Sequence, residues 1–289
     1  MTTAKGIDFA PIKVSEYISE ISSTKSESDW SEIQEIARLT ALRNDSGGEF
    51  FISNFWRGPM LYSLVKRLKP RTIIELGTGR GYGALCMALA LNDVGIESRL
   101  ITVDRTPGDV KYAWPYTDSN GTNKIANDSL NNFWSENLPE ALTSRIEFLC
   151  GDTANVHNLL GDIGSNIDLV FIDGDHSYNG VALDFLSSYS VAASNAVFVF
   201  DDYSTARGYG IRQLINEDIS RFFSVKVIDM EPSAAHDISV DHMMAICNDE
   251  AAEIITDLPS PSSFKFRYLV VRRWVRSQVV RLARFGLRR

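Results

Sequence analysis

Short apolar runs alternate with polar, helix-compatible segments through the middle of the chain. Thr72–Leu76, Arg99–Val103, Arg145–Cys150, Ile167–Ile172 and Ala196–Phe200 are rich in β-branched and aromatic residues, the pattern of strands buried on both faces. Gly83–Leu91, Lys124–Glu136 and Asn179–Ser190 between them predict helices, whereas Arg105–Asn123 reads as a long polar stretch holding Trp114 and Tyr116. Such β-α alternation implies a parallel sheet with helices on both faces. After Tyr203 the pattern changes: a helix over Ile211–Phe222 precedes two strands, Ser224–Asp229 and His242–Cys247, joined without a clear helix. That pair is expected to run antiparallel and close the sheet. Ahead of the first strand, residues 12–45 read as helical, with a polar segment at Ser22–Ser31 and a break at Asn44–Gly48. A further helix spans about Arg57–Leu68 and is stopped by Pro70. The expected fold is α/β and doubly wound: a mostly parallel seven-stranded sheet with an antiparallel last strand. An N-terminal helical cap (1–69), a central domain (70–258) and a linker with a C-terminal amphipathic helix (259–289) complete it.

Composition changes this picture little. Apolar residues at 44% and charged residues at 23% of 289 are ordinary for a globular chain and exclude a disordered or fibrous class. Cys86, Cys150 and Cys247 lack metal-ligand or disulfide spacing, so buried thiols in a reducing compartment are expected. The N-terminus shows no signal-peptide core, and no run approaches the roughly 18 apolar residues of a spanning helix. The location expected is cytoplasmic.

Charge is more informative. The net charge of −8 conceals nine Lys/Arg and no Asp/Glu from Ser262 onward, which leaves residues 1–261 with 20 basic against 37 acidic residues. An acidic body argues against a nucleic-acid partner. On a helical wheel, Val271, Trp274, Val275, Val279, Leu282 and Phe285 share one side of the tail and most arginines the other. A basic amphipathic helix over 264–289 reads as a peripheral contact with the inner face of a membrane. The competing reading packs it on its own acidic body or on a second copy, in a homo-oligomer. In the membrane reading a lipid-linked glycan becomes an attractive substrate.

Two regions carry chemistry. Thr72–Gly83 reads T-I-I-E-L-G-T-G-R-G-Y-G: a strand, a tight turn with Gly77, Thr78, Gly79, Gly81 and Tyr82, then a helix whose first amides are unpaired. Glu75 before the turn suits the positively charged amino acid end of S-adenosylmethionine and would repel a pyrophosphate. Asp104, closing the second strand, lies where a carboxylate can accept ribose hydroxyls. Asp152, after the third, lies where an adenine amino group could be met. The plain alternative for either is a solvated acid at a strand end. Ile73–Leu91 resembles motif I of class I methyltransferases, and G-T-G-R-G-Y-G-A-L is similar to the corresponding turn of the catechol and caffeoyl-coenzyme A O-methyltransferase group. The resemblance implies a Rossmann-like methyltransferase fold with S-adenosyl-L-methionine as cofactor.

The second region is a set of acids at two further strand ends, I-D-L-V-F-I-D-G-D-H-S-Y over 167–178 and A-V-F-V-F-D-D-Y over 196–203. In an open α/β sheet, ligands bind beyond the carboxyl ends of the strands, so Asp173, Asp201 and Asp202 are expected to converge there. Three close carboxylates stay ionised only beside a cation, and hard oxygen donors suit Mg²⁺. The alternative is that these acids cap the following helices, Asp175 or Ser177 capping the one from Asn179. D-G-D-H-S-Y with a later F-D-D-Y resembles the metal-dependent sugar O-methyltransferases of the macrocin and novobiocin type. That likeness implies Asp173, Asp201 and Asp202 as metal ligands, Asp173 also beside the cofactor, and Asp175 as general base. His176 is the rival base because its ordinary pKa lies near neutrality. The function expected is O-methylation of a sugar or other polyhydroxylated small molecule. An NAD-dependent oxidoreductase and a non-catalytic S-adenosylmethionine-binding subunit are the alternatives.

Overall fold

The protein is described by a computed structural model covering residues 9–22, 30–160, 166–204, 210–230 and 243–248. The basic tail at 264–289 lies outside these residues. The strands are β1 (Ile12–Lys13), β2 (Leu42–Asn44), β3 (Phe50–Ile52), β4 (Thr72–Leu76), β5 (Arg99–Asp104), β6 (Tyr112–Thr117), β7 (Asn123–Asp128), β8 (Ile146–Cys150), β9 (Ile167–Ile172), β10 (Ala192–Phe200), β11 (Ser224–Asp229) and β12 (Met243–Asn248). The helices are α1 (Val14–Ile21), α2 (Ser31–Thr40), α3 (Arg57–Leu68), α4 (Tyr82–Val94), α5 (Leu130–Asn137), α6 (Glu140–Thr143), α7 (Val156–Leu159), α8 (Tyr178–Tyr189) and α9 (Ile211–Glu217).

The main sheet has the order β1-β11-β12-β10-β9-β4-β5-β8. Its seven principal strands follow the expected Rossmann-like plan, and β12 runs antiparallel to both β10 and β11. The two-residue β1 adds an eighth strand at one edge, parallel to β11. β4 lies at the centre because its residues serve both faces. Ile73 joins the core under α1–α4, while Ile74 and Leu76 join the core under α8 and α9. From β4 the chain moves outward through β5 to β8, then returns to β9 on the other side of β4. The reversal opens a crevice between the carboxyl ends of β4 and β9, the usual ligand position in such sheets.

Two expectations give way here. The stretch 105–123 is not simply a polar loop, nor does 124–136 form one helix: β6 and β7 form an antiparallel hairpin, and the helix begins only at Leu130. The hairpin is held by aromatic stacking. Trp114, 0% exposed, stacks on Phe133 with ring centroids 4.3 Å apart, and its Nε1 donates to Leu39 O at 2.8 Å. Trp114 is therefore a core residue. The N-terminal region is likewise broken, into α1, α2 and the hairpin β2–β3, whose turn is tied by Asp45 Oδ1 accepting from Gly47 and Glu49 N–H. Of the cysteines, Cys86 and Cys247 are buried as expected and Cys150 is exposed. No described helix is long and apolar enough to cross a membrane.

Candidate active site

The glycine-rich turn leaves β4 at Gly77, whose N–H donates to Val103 O at 2.8 Å while Asp173 N–H donates to Leu76 O at 2.8 Å. Gly77 has φ +99°, and a Cβ there would stand 2.2 Å from Asp173 O, so only glycine lets the ends of β4 and β9 approach this closely. Beyond them lies a cavity of about 380 Å³, lined by Gly77, Gly79, Asp104, Thr153, Asp173 and Asp175 among others. Asp104 closes one end. Its Oδ2 accepts from the N–H groups of Thr78 and Gly79, both at 3.1 Å, and its Oδ1 from Thr106 N–H at 2.8 Å.

Several residues of the turn act from behind it. Glu75 is 1% exposed and shares the strand face of Ile73, so its carboxylate points under α4 and away from the cavity. It accepts hydrogen bonds from Thr102 Oγ1 and from the N–H of Ala84 in the first turn of α4. Thr78 Oγ1 extends this chain with a 2.6 Å hydrogen bond to Thr102 Oγ1. Burial raises the Glu75 carboxyl to about 8 against an ordinary 4.5. The expectation that Glu75 faces the cofactor is thereby corrected. It satisfies an otherwise unpaired helix amide and props the turn from below. Tyr82 is also turned inward, its hydroxyl donating to Phe55 O at 2.6 Å. Asp152 caps the short 3-10 turn Thr153–Asn155 through Ala154 N–H at 3.1 Å and pairs with Arg105 at 3.3 Å. Its neighbour Thr153 lines the cavity.

At the other end Asp173, Asp201 and Asp202 lie close together, and His176 joins them. Asp173, His176 and Asp202 each offer a ligand atom, all within 4.8 Å of one another. His176 stands between the carboxylates, Nε2 3.5 Å from Asp173 Oδ1 and Nδ1 3.2 Å from Asp202 Oδ2. Asp201 is 1% exposed and lies beside Asp173, packed against Arg57. It continues β10, its N–H donating to Ile172 O at 3.0 Å, and Asp202 then adopts φ +53°. Asp175 lines the cavity and accepts Ser177 N–H at 2.9 Å, while Ser177 itself caps α8 through Gly180 N–H at 3.2 Å.

The counter-charge for these acids comes partly from the protein. Arg57, at the start of α3, donates through Nη1 to Asp173 Oδ2 at 2.7 Å and pairs through Nη2 with Asp201 Oδ2. Asn54 Nδ2 donates to Asp201 Oδ1 at 3.4 Å. Burial works to raise the Asp173 pKa, but Arg57 and His176 hold it below the ordinary value. Burial raises Asp201 well above it, reinforced by repulsion from Asp173 and Asp202. The hydrogen bond to Asp173 raises His176. Arg57 and Asn54 were not anticipated from the sequence. The demand of three acids for a cation was the available signal, but nothing local pointed to an arginine 116 residues before Asp173.

Residues 74–203, somewhat under half of the chain, match the family model Methyltransf_24, described as a methyltransferase domain. Over this stretch the chain is similar to methyltransferase domains. The matched stretch encloses the turn, Asp104, Asp152, Asp173–His176 and Asp201–Asp202, whereas Asn54 and Arg57 precede it. The O-methyltransferase from Bacillus cereus, solved in complex with SAH, superposes with a TM-score of 0.50 at 18% identity, covering 81% of this chain and 96% of that one. At that identity the likeness is one of fold. The uncharacterized protein y4gI of Sinorhizobium fredii is 29% identical over 160 residues, 54% of this chain. The matched part is 16% of y4gI, so the chain spans about one sixth of the length of that curated relative.

Proposed function

We propose that this protein transfers the methyl group of S-adenosylmethionine to a hydroxyl oxygen of a sugar or similar polyhydroxylated small molecule. The observation that carries the reading is the cavity at the switch point, bounded by Asp104 at one end and by Asp173 and Asp175 at the other. Asp104 would take the ribose hydroxyls, exchanging its hydrogen bonds to the turn for charge-assisted ones to the ligand. The sulfonium would then lie toward Asp173, where the surrounding acids favour positive charge.

In the in-line step the acceptor oxygen attacks the methyl carbon and the S–CH₃ bond breaks. The electron pair returns to sulfur, giving S-adenosylhomocysteine, and the hydroxyl proton passes to a base. Asp175 suits that role best, because it lines the cavity. His176 lies between Asp173 and Asp202 and is engaged by both, so it suits holding the two carboxylates in place better than taking the acceptor's proton.

A divalent cation, Mg²⁺ above all, belongs to the same reading. The donor set fits one ion: two carboxylates and an imidazole offering atoms within 4.8 Å of one another, with Asp173, His176 and Asp202 as the holders and Asp201 left to Arg57. When bound, such an ion lowers the pKa of a hydroxyl it holds.

Calorimetric titration of S-adenosylmethionine, with and without Mg²⁺, into wild type and Asp104→Ala tests the proposal. Micromolar binding that the substitution weakens, followed by labelled methyl transfer in a screen of sugars, is the expected result. Absence of binding at millimolar cofactor overturns it.

A further inference from the structure

A second cavity, of about 420 Å³, adjoins the one just described. Gly79 and Asp104 line both. Part of its wall is apolar, with Val110, Leu130 and Phe148, and its polar groups include Arg43 on β2, Arg80 in the glycine-rich turn and Tyr112 on β6. The two guanidinium groups set its chemistry. Arg43 donates through Nη1 to Thr40 O at 3.2 Å and Leu42 O at 3.0 Å. Arg80 donates to Leu42 O at 2.8 Å and Ala113 O at 3.2 Å, with its guanidinium 5.9 Å from the Trp114 ring centroid.

These bonds go to neutral carbonyls. Among the described residues neither arginine forms an ion pair, although the chain carries an excess of acid. Asp104, the acid on the cavity wall, has its carboxylate committed to the amides of Thr78, Gly79 and Thr106. Arg43 also feels repulsion from Arg80 and Arg57, which adds to burial in pulling its pKa down to about 10. Two like charges held together in a partly buried cavity cost free energy unless a ligand supplies the opposite charge. Arginine is the side chain best suited to an oxyanion, because its planar fork donates two parallel hydrogen bonds.

We propose that Arg43 and Arg80 form an anion subsite for the methyl acceptor, binding a phosphate-type oxyanion carried by the molecule whose hydroxyl is methylated. The proposal rests on the methyl-transfer reading and narrows its substrate class from neutral sugars to phosphorylated or otherwise anionic ones. Arg80 directly follows Gly79 in the turn that borders the cofactor cavity, so an acceptor anchored there by its anion would lie beside that cavity.

The test uses the full chain saturated with S-adenosylhomocysteine, into which inorganic pyrophosphate, orthophosphate or glucuronate is titrated by calorimetry. The expected result is pyrophosphate binding that weakens at least tenfold in Arg43→Gln and in Arg80→Gln, with S-adenosylhomocysteine affinity changed less than threefold. Arg80→Lys, which keeps the charge and loses the fork, is expected to fall between. Tighter binding of glucuronate than of either phosphate would replace the phosphate by a carboxylate and overturn that part of the proposal. Anion binding that disappears when the cofactor product is present would assign the arginines to the cofactor's own carboxylate, overturning the acceptor subsite. Absence of anion binding to wild type, or binding indifferent to both Arg→Gln changes in proteins with wild-type thermal unfolding, also overturns it. Failure of S-adenosylhomocysteine itself to bind counts against methyl transfer alone, and the same titration of the free protein still reads the subsite.

Discussion

Arg57 Nη1 lies 2.7 Å from Asp173 Oδ2, joining the first turn of α3 to the end of β9 across 116 residues of sequence. The same guanidinium pairs with Asp201, so one buried cation serves two carboxylates and fixes the N-terminal region over the carboxyl ends of the central strands. Removing one partner of a buried ionic group is far costlier than its net contribution suggests, since the remaining charges lose both water and counter-charge. Arg57→Met is expected to destabilise the fold by about 3–5 kcal/mol in urea unfolding. Asp201→Asn, which replaces a carboxyl already pushed toward its neutral form, is expected to cost about 1 kcal/mol. In the double variant the losses should be less than additive; full additivity would mean that the pair does not act as a unit.

Asp104 holds the turn in the free protein and is the proposed ribose acceptor. Its replacement by alanine should weaken S-adenosylmethionine binding by roughly 10- to 100-fold, the loss of one or two charge-assisted hydrogen bonds. Calorimetry reads this directly, and unchanged affinity would remove Asp104 from the cofactor site.

Glu75 gives the stability a pH dependence. Its pKa is raised to about 8 in the folded protein against an ordinary 4.5, so between those values the folded state holds a proton that the unfolded chain has released. This contribution is fully present below about pH 4.5 and is lost as pH rises toward and through about 8. Glu75→Gln keeps the hydrogen bonding without the ionisation. Thermal unfolding at pH 5.5, 7 and 8.5 should show the variant gaining on wild type as pH rises, whereas parallel curves would contradict the assignment.

The glycines of the turn should not respond alike. Gly77→Ala sets a methyl 2.2 Å from the backbone oxygen of Asp173 at φ +99°, and loss of about 3 kcal/mol or more, or of soluble protein, is expected. A Cβ at Gly79 meets nothing within 4 Å at φ +54°, so Gly79→Ala should cost only the 1–2 kcal/mol of a left-handed residue. Equal losses in urea unfolding would show that the approach of β4 to β9 is not what requires glycine.

Where the pattern of the chain was strongest, structure followed it. Thr72–Leu76, Ile167–Ile172, Ser224–Asp229 and the helix Arg57–Leu68 have the predicted limits, because the largely buried central strands are dominated by apolar residues, Ser224–Asp229 alternates polar and apolar positions at its start, and a helix is cut cleanly by a nearby proline. The hairpin β6–β7 escaped notice for opposite reasons. Pro115 within β6 argues against a strand, and Asn123–Asp128 is polar and mostly exposed. Only the stacking of Tyr112 and Trp114, and of Trp114 on Phe133, reveals what holds it.

The order of strands and helices, and hence the gathering of Gly77, Asp104, Asp173 and Asp201–Asp202 along one rim of the sheet, follows from the sequence alone. Local periodicity determines each element, and short connections determine which rim its end must reach. What the tertiary structure decided is the direction of each side chain on that rim. Glu75 turns under α4 because a helix amide awaits it, Asp201 is buried against Arg57 beside Asp173, and Asp202 reaches His176. These choices depend on partners distant in the chain, whose proximity exists only once the sheet has closed around its switch point.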